Sequence, residues 1–173
     1  MLGWNLKSVP KWALVWFYVS FLIQIWDALF ILARPHSLAG GALEYVWSPY
    51  QLYITVDRRY GDLGDGFGIA QSWLNLLEVV VGFWGLNMYM GGQAKAHLYL
   101  FSASLMSFAK TCIYFLTEFC SGLEYTGGAD WYQWTTIFFI PSLFWVVFPL
   151  LCTLGAGSVI SQQLSATRKA RVE

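Results

Sequence analysis

Four stretches of the chain, about 12–33, 67–90, 98–119 and 134–160, are almost wholly apolar, and polar segments separate them. A bilayer core about 30 Å thick takes about 20 helical residues to cross. The pattern therefore predicts an all-α integral membrane protein. Its single domain over 1–173 is a bundle of four transmembrane helices, followed by a polar tail at 161–173 that is expected to fray. The last stretch holds Pro141 and Pro149. Prolines inside a spanning helix free backbone carbonyls that neighbours must satisfy, so a kink that shapes a cavity is expected there. The loop at 34–66 carries Pro35, Pro49, several glycines and the aromatic residues Tyr45, Trp47, Tyr50, Tyr53 and Tyr60. Aromatic side chains suit the headgroup zone, which predicts a lid or belt on the membrane surface. The first apolar run is too long for a signal-peptide core and ends without a small-residue cleavage site, so it is expected in the mature protein.

Charge near the helix ends orients the bundle. In a four-span arrangement Lys7, Lys11, Lys95, Arg168, Lys169 and Arg171 fall on one side, against Arg34, Arg58 and Arg59 on the other. Lys and Arg stay on the cytoplasmic side, so both termini are expected there and the 34–66 loop is expected to be lumenal. Composition agrees with the bilayer as partner: 57% of residues are hydrophobic and 12% charged, against about 25% charged in soluble domains. A net charge of zero offers no basic excess to neutralise phosphates, which argues against nucleic acid. Cys112, Cys120 and Cys152 lack metal-ligand spacing and read as small hydrophobes. With no DDxxD-like cluster and no glycine-rich phosphate loop, neither metal nor nucleotide cofactor is expected. The small residues Gly155, Ala156, Gly157 and Ser158 suit self-association into a homodimer and packing within one bundle equally well.

The ionisable residues inside the spans change the picture from architecture to chemistry. Asp27 lies in the first span, Glu78 in the second, and Lys110 and Glu118 in the third. A charge at the bilayer centre costs about 2.5–3.5 kcal/mol on insertion scales, so such groups usually face the bundle interior and serve function. At 1.5 Å rise per residue, Asp27 lies roughly 22 Å from the cytoplasmic start of its helix and Glu78 roughly 16 Å from the lumenal start of its own. All three carboxyls are thus expected to line one cavity in the lumenal half, with Gln24, Trp26, Trp73 and Asn75 close by as hydrogen-bonding and aromatic wall. Pairing between helices, including a Lys110 salt bridge, is the structural alternative; Lys110 could equally snorkel. Asp65 reads as a helix cap just ahead of the second span. Carboxyls in a dry pocket can divide into acid and base, a pair suited to protonating an alkene or epoxide and withdrawing a different proton. Aromatic residues such as Tyr114 and Trp145 would face the intervening carbocation.

The run YFLTE at 114–118, FWVVFP at 144–149, RRYGDLGDGF at 58–67 and FWG at 83–85, with Asp27 ahead of them, cover most of the chain. In these the chain resembles the EXPERA superfamily, above all its emopamil-binding branch of sterol Δ8–Δ7 isomerases. The resemblance implies a four-helix membrane fold, the endoplasmic reticulum membrane, and double-bond movement through a carbocation. It implies catalytic roles for Asp27, Glu118 and, across a gap, Glu78, and a substrate-facing Trp145. Ile23 stands where the isomerases carry a histidine, and Ser142 where they carry an asparagine beside the tryptophan. In length the chain resembles the sigma-2 receptor branch. Two functions therefore stand open. One is a cofactor-independent enzyme acting through a carbocation on a sterol or terpenoid, by double-bond isomerisation or by cyclisation, with Asp27, Glu78 and Glu118 as acid and base and Gln24, Trp26, Trp73, Asn75, Tyr114, Ser142 and Trp145 around the substrate. The other is a non-catalytic protein that binds sterols or cationic amphiphiles.

Overall fold

The computed structural model describes residues 3–5 and 8–172, and Lys7 lies outside them. Among the described residues the regular elements are helical, apart from an isolated β-bridge between Asn5 and Ser8. Helix α1 runs Lys11–Leu32, a short α2 Tyr50–Val56, α3 Gly66–Met90 and α4 Ala96–Cys120. A three-residue α5, Trp131–Gln133, leads through a π-helical stretch, Trp134–Phe139, into α6, Ile140–Val172. Four helices are long and apolar enough to cross a membrane: α1, α3, α4 and the continuous Trp131–Lys169.

The ends of these helices are set by local chemistry. The Asp65 carboxylate accepts from Gly68 N at 2.7 Å and caps α3, as its position ahead of the span predicts. Asp130 accepts from Tyr132 N and Gln133 N and caps the last helix. The polar tail differs from the expectation of fraying: the helix continues to Val172. Gln163 donates to the Ala94 carbonyl at 3.2 Å and ties the first turn of the tail to the α3–α4 connection.

Close approach between helices depends on small residues. A Cβ on Gly82 would fall within the ring of Phe21, where α3 meets α1, and one on Gly85 would stand 3.0–3.1 Å from Tyr99 and Leu100 on α4. Gly155 is covered by the Trp4 indole and Gly157 by Phe101, so the small residues of α6 serve packing within this bundle. Phe17, Phe21, Val79, Leu86, Leu100, Cys152 and Ala156 form an apolar core with Trp4 and Val9 at the chain-terminal end. At the other end Phe30, Ile31, Trp47 and Tyr50 make a second, aromatic cluster.

That second cluster is built by the 34–66 segment, which folds inward as a lid. Trp47 donates to the Trp26 carbonyl at 2.9 Å and Ser37 to the Phe30 carbonyl at 2.6 Å. Arg34 Nη1 reaches the carbonyls of Arg59, Tyr60 and Asp62. Arg58 ties the lid to the α4–α5 loop through the carbonyls of Glu124 at 2.6 Å and Tyr125 at 3.2 Å.

The π-helical stretch lies just ahead of Pro141. Proline has no N–H, and its ring crowds the carbonyl four residues back. The chain here widens instead, with Ile140 N donating to Thr135 O, five residues back. Pro149 sits inside α6, which carries the helix on past it.

Candidate active site

Beneath the lid lies a cavity of about 400 Å³, walled by α1, α2, α3, α4 and α6. Asp27 is its central acid. Tyr50 donates to Asp27 Oδ1 at 2.6 Å, Tyr60 to the same oxygen at 3.0 Å, and Asn75 Nδ2 to Oδ2 at 3.4 Å. Both phenols come from the lid. Burial pushes the Tyr50 and Tyr60 hydroxyls above their ordinary range, and the Asp27 carboxyl beside them adds to this. They remain O–H donors over the pH range in which proteins work.

Glu78 and Glu118 stand elsewhere. Neither reaches the cavity wall, which corrects the expectation that three carboxyls line one cavity. Each is held behind a cation that does line the wall. Lys110 Nζ lies 2.8 Å from Glu78 Oε2, with Asn75 Oδ1 as a second acceptor and Gln24 Oε1 at 3.5 Å. Arg59 spans Glu118 at 2.9 Å and Asp65 at 2.8 Å, and Thr126 N donates to the other Glu118 oxygen at 3.2 Å. A carboxylate in a dry interior takes the nearest cation and backbone N–H before anything else. Lys110 therefore neither snorkels nor stands alone. The side chains of Glu78 and Glu118 are 3% and 1% exposed.

Gln24, Trp26, Asn75, Tyr114, Ser142 and Trp145 lie on the cavity wall. Trp73 does not: it is 61% exposed on the outer surface of α3, because it lies about half a turn from Asn75 on the same helix. The widened stretch Trp134–Phe139 itself contributes Ile137 to the wall and leads into Pro141, Ser142 and Trp145. Trp16 of α1 packs edge-on against Trp145 at 5.3 Å between ring centroids and holds its indole.

Sequence reasoning missed a second acid. Asp57, at the end of α2, has no exposed surface. It accepts from Tyr114 at 2.5 Å and from Tyr53 at 3.4 Å, and both of those phenols line the cavity. Burial is the main cause that lifts its carboxyl from the ordinary 3.8 to about 6; the hydrogen bond from Tyr114 opposes the shift and the nearby Glu118 carboxylate adds to it. The wall thus carries Asp27 directly and Asp57 one phenol away. Tyr53 and Tyr60, which reach the two acids, touch with ring centroids 4.7 Å apart.

No family model matches the chain. A curated protein, protoglabretal synthase of Ailanthus altissima, is 21% identical to it over 157 residues, which cover 91% of this chain and 71% of that protein. This chain is similar to that synthase along nearly its whole length.

Proposed function

We propose that the protein is a membrane-embedded acid–base enzyme that moves a proton into and out of a neutral isoprenoid or sterol lipid through a carbocation. The observation that carries this reading is the pair of acids served by phenols around one aromatic cavity. The similarity to a protein named as a synthase supports enzyme over binder.

Asp27 is the donor in this reading. Lys110 already has Glu78 as counter-ion, so a proton on Asp27 leaves that buried group neutral, and two phenols hold its other oxygen in place. Protonation of an alkene or epoxide leaves a cation that the faces of Trp26, Trp145 and the lid tyrosines stabilise. Asp57, acting through Tyr114, is the acceptor: the phenol oxygen takes the proton as its own passes to the carboxylate. Lys110 and Arg59 hold Glu78 and Glu118 as fixed counter-charges that orient Asn75 and the lid. Loss of a ring proton gives a shifted double bond, and loss after ring closure gives a cyclised product. The endoplasmic reticulum, with both termini cytoplasmic and the lid lumenal, is the proposed setting.

The alternative is a binding protein in which an ionised Asp27 pairs with a ligand ammonium inside the same aromatic wall. Expression in a host without sterol isomerase, fed separately with a Δ8-sterol and with epoxidised prenylated lipids, separates the two. A new isomer or ring product is expected from wild type and none from Asp27→Asn or Asp57→Asn, while Glu78→Gln and Glu118→Gln lower the yield through the packing of the site. Unchanged lipids in every case, with cationic amphiphiles bound, would leave the binding protein.

A further inference from the structure

Two N–H groups on residues of the cavity wall find no acceptor within the protein, Gln24 Nε2 and Arg59 Nε. Each residue is only 3% exposed. Lys110 has donors alone, so its approach at 3.5 Å fixes the Gln24 oxygen toward the lysine and turns the amide nitrogen away from it. An unsatisfied buried donor costs about 1–3 kcal/mol, which a bound molecule that reached it with an acceptor would recover.

Charge narrows what that acceptor can be. The two cations on the wall are each matched by carboxylates at 2.8–2.9 Å, and Asp27 adds a further acid. An anionic head such as a diphosphate meets no free positive charge here. An ammonium has only donors and leaves both N–H groups unmet. A neutral oxygen fits. Gln24 is three residues before Asp27 on α1, which places the two side chains on one face about 5–6 Å apart.

We infer that the lipid bound here is neutral and presents an acceptor oxygen, of an epoxide or a carbonyl, to Gln24 Nε2 beside Asp27; this rests on the acid–base reading of the same cavity. With an epoxide, the Asp27 proton goes to the ring oxygen, the C–O bond to the more substituted carbon breaks with its electrons on oxygen, and a hydroxyl and a carbocation result. A neighbouring C–H bond then supplies the electron pair for the alkene, and its proton passes through Tyr114 to Asp57.

The test uses the full-length protein in lipid nanodiscs, titrated by tryptophan fluorescence with pairs of lipids that differ in one oxygen: 2,3-oxidosqualene against squalene, and cholestan-3-one against cholestane. Wild type is expected to bind the oxygenated member about tenfold more tightly, the worth of one hydrogen bond. Gln24→Glu keeps the oxygen toward Lys110 and removes the donor. It is expected to erase the preference, as is Gln24→Leu, with melting temperatures confirming that both variants fold. Farnesyl diphosphate is expected not to compete. Equal binding within each pair by wild type, a preference that survives in the variants, or tightest binding of the diphosphate would overturn the inference. Oxidosqualene bound with preference but returned unchanged would keep the acceptor site and overturn the enzyme reading. Product formed equally by wild type and Gln24→Glu would do the reverse.

Discussion

Lys110 and Glu78 form an ion pair with side chains 10% and 3% exposed. Removing one partner strands the other in a dry interior, at a cost of about 3–5 kcal/mol, whereas replacing both with apolar groups is close to neutral. Lys110→Met is therefore expected to lower the unfolding midpoint in detergent sharply, and Lys110→Met with Glu78→Leu to recover most of it. Equal loss in the single and double variants would show that the pair is not the stabilising unit. Asp57 gives a second test. Its carboxyl holds a proton up to about pH 6 in the fold against an ordinary 3.8, so the folded state binds that proton more tightly than the unfolded chain. The stability it contributes is greatest below pH 4 and is lost as pH rises toward 6, a loss on the order of 3 kcal/mol. If Asp57 is the proton acceptor, turnover follows the opposite course and rises through pH 6 as the carboxylate forms. A pH profile that stays flat in wild type would remove Asp57 from the reaction. The sequence marks Asp27, Glu78 and Glu118 by the cost of charge in a span. It does not reveal that Glu78 and Glu118 are answered by Lys110 and Arg59, because those pairings cross between elements 32 and 59 residues apart. Asp57 carries no such mark, since it lies in a polar segment where a carboxylate is unremarkable.

At the scale of elements, the four spans are legible because about twenty apolar residues admit one reading in a bilayer. The helical make-up of the lid is not, since its 3-10 turns at Glu44–Trp47 and Arg58–Gly61 and the seven-residue α2 have no sustained period. Its aromatic residues read as a lid or belt on the membrane surface, without the inward turn that brings Tyr50, Tyr53 and Tyr60 to the cavity. Trp73 fails the other way: near in sequence to Asn75, it points outward by helical phase. Packing of α1 on α3 depends on the absent side chain of Gly82 beneath Phe21. Gly82→Ala is expected to destabilise the bundle by about 1–3 kcal/mol through overpacking. Phe21→Leu in that background is expected to restore part of it, read as the unfolding midpoint. An unchanged midpoint in Gly82→Ala would mean that the two helices separate at no cost.

Taken whole, the molecule divides its interior. One end is an apolar core, and the other is an aromatic cavity with a few buried polar groups, lying beneath a segment that two arginines pin in place. Arg34 binds the lid to itself, and Arg58 binds it to the α4–α5 loop. If the acid–base reading holds, loosening that clasp would change what the short-lived cation meets. On the acid–base reading, one proton enters and one leaves with the lid in place, so product and substrate would have identical mass and only their retention on a column or their spectra would tell them apart. Arg58→Ala is expected to admit solvent and yield, beside the normal product, an alcohol heavier by one water. The activity would then be recognised in a mass spectrum through its leak, while the intact protein would leave the parent ion where it was.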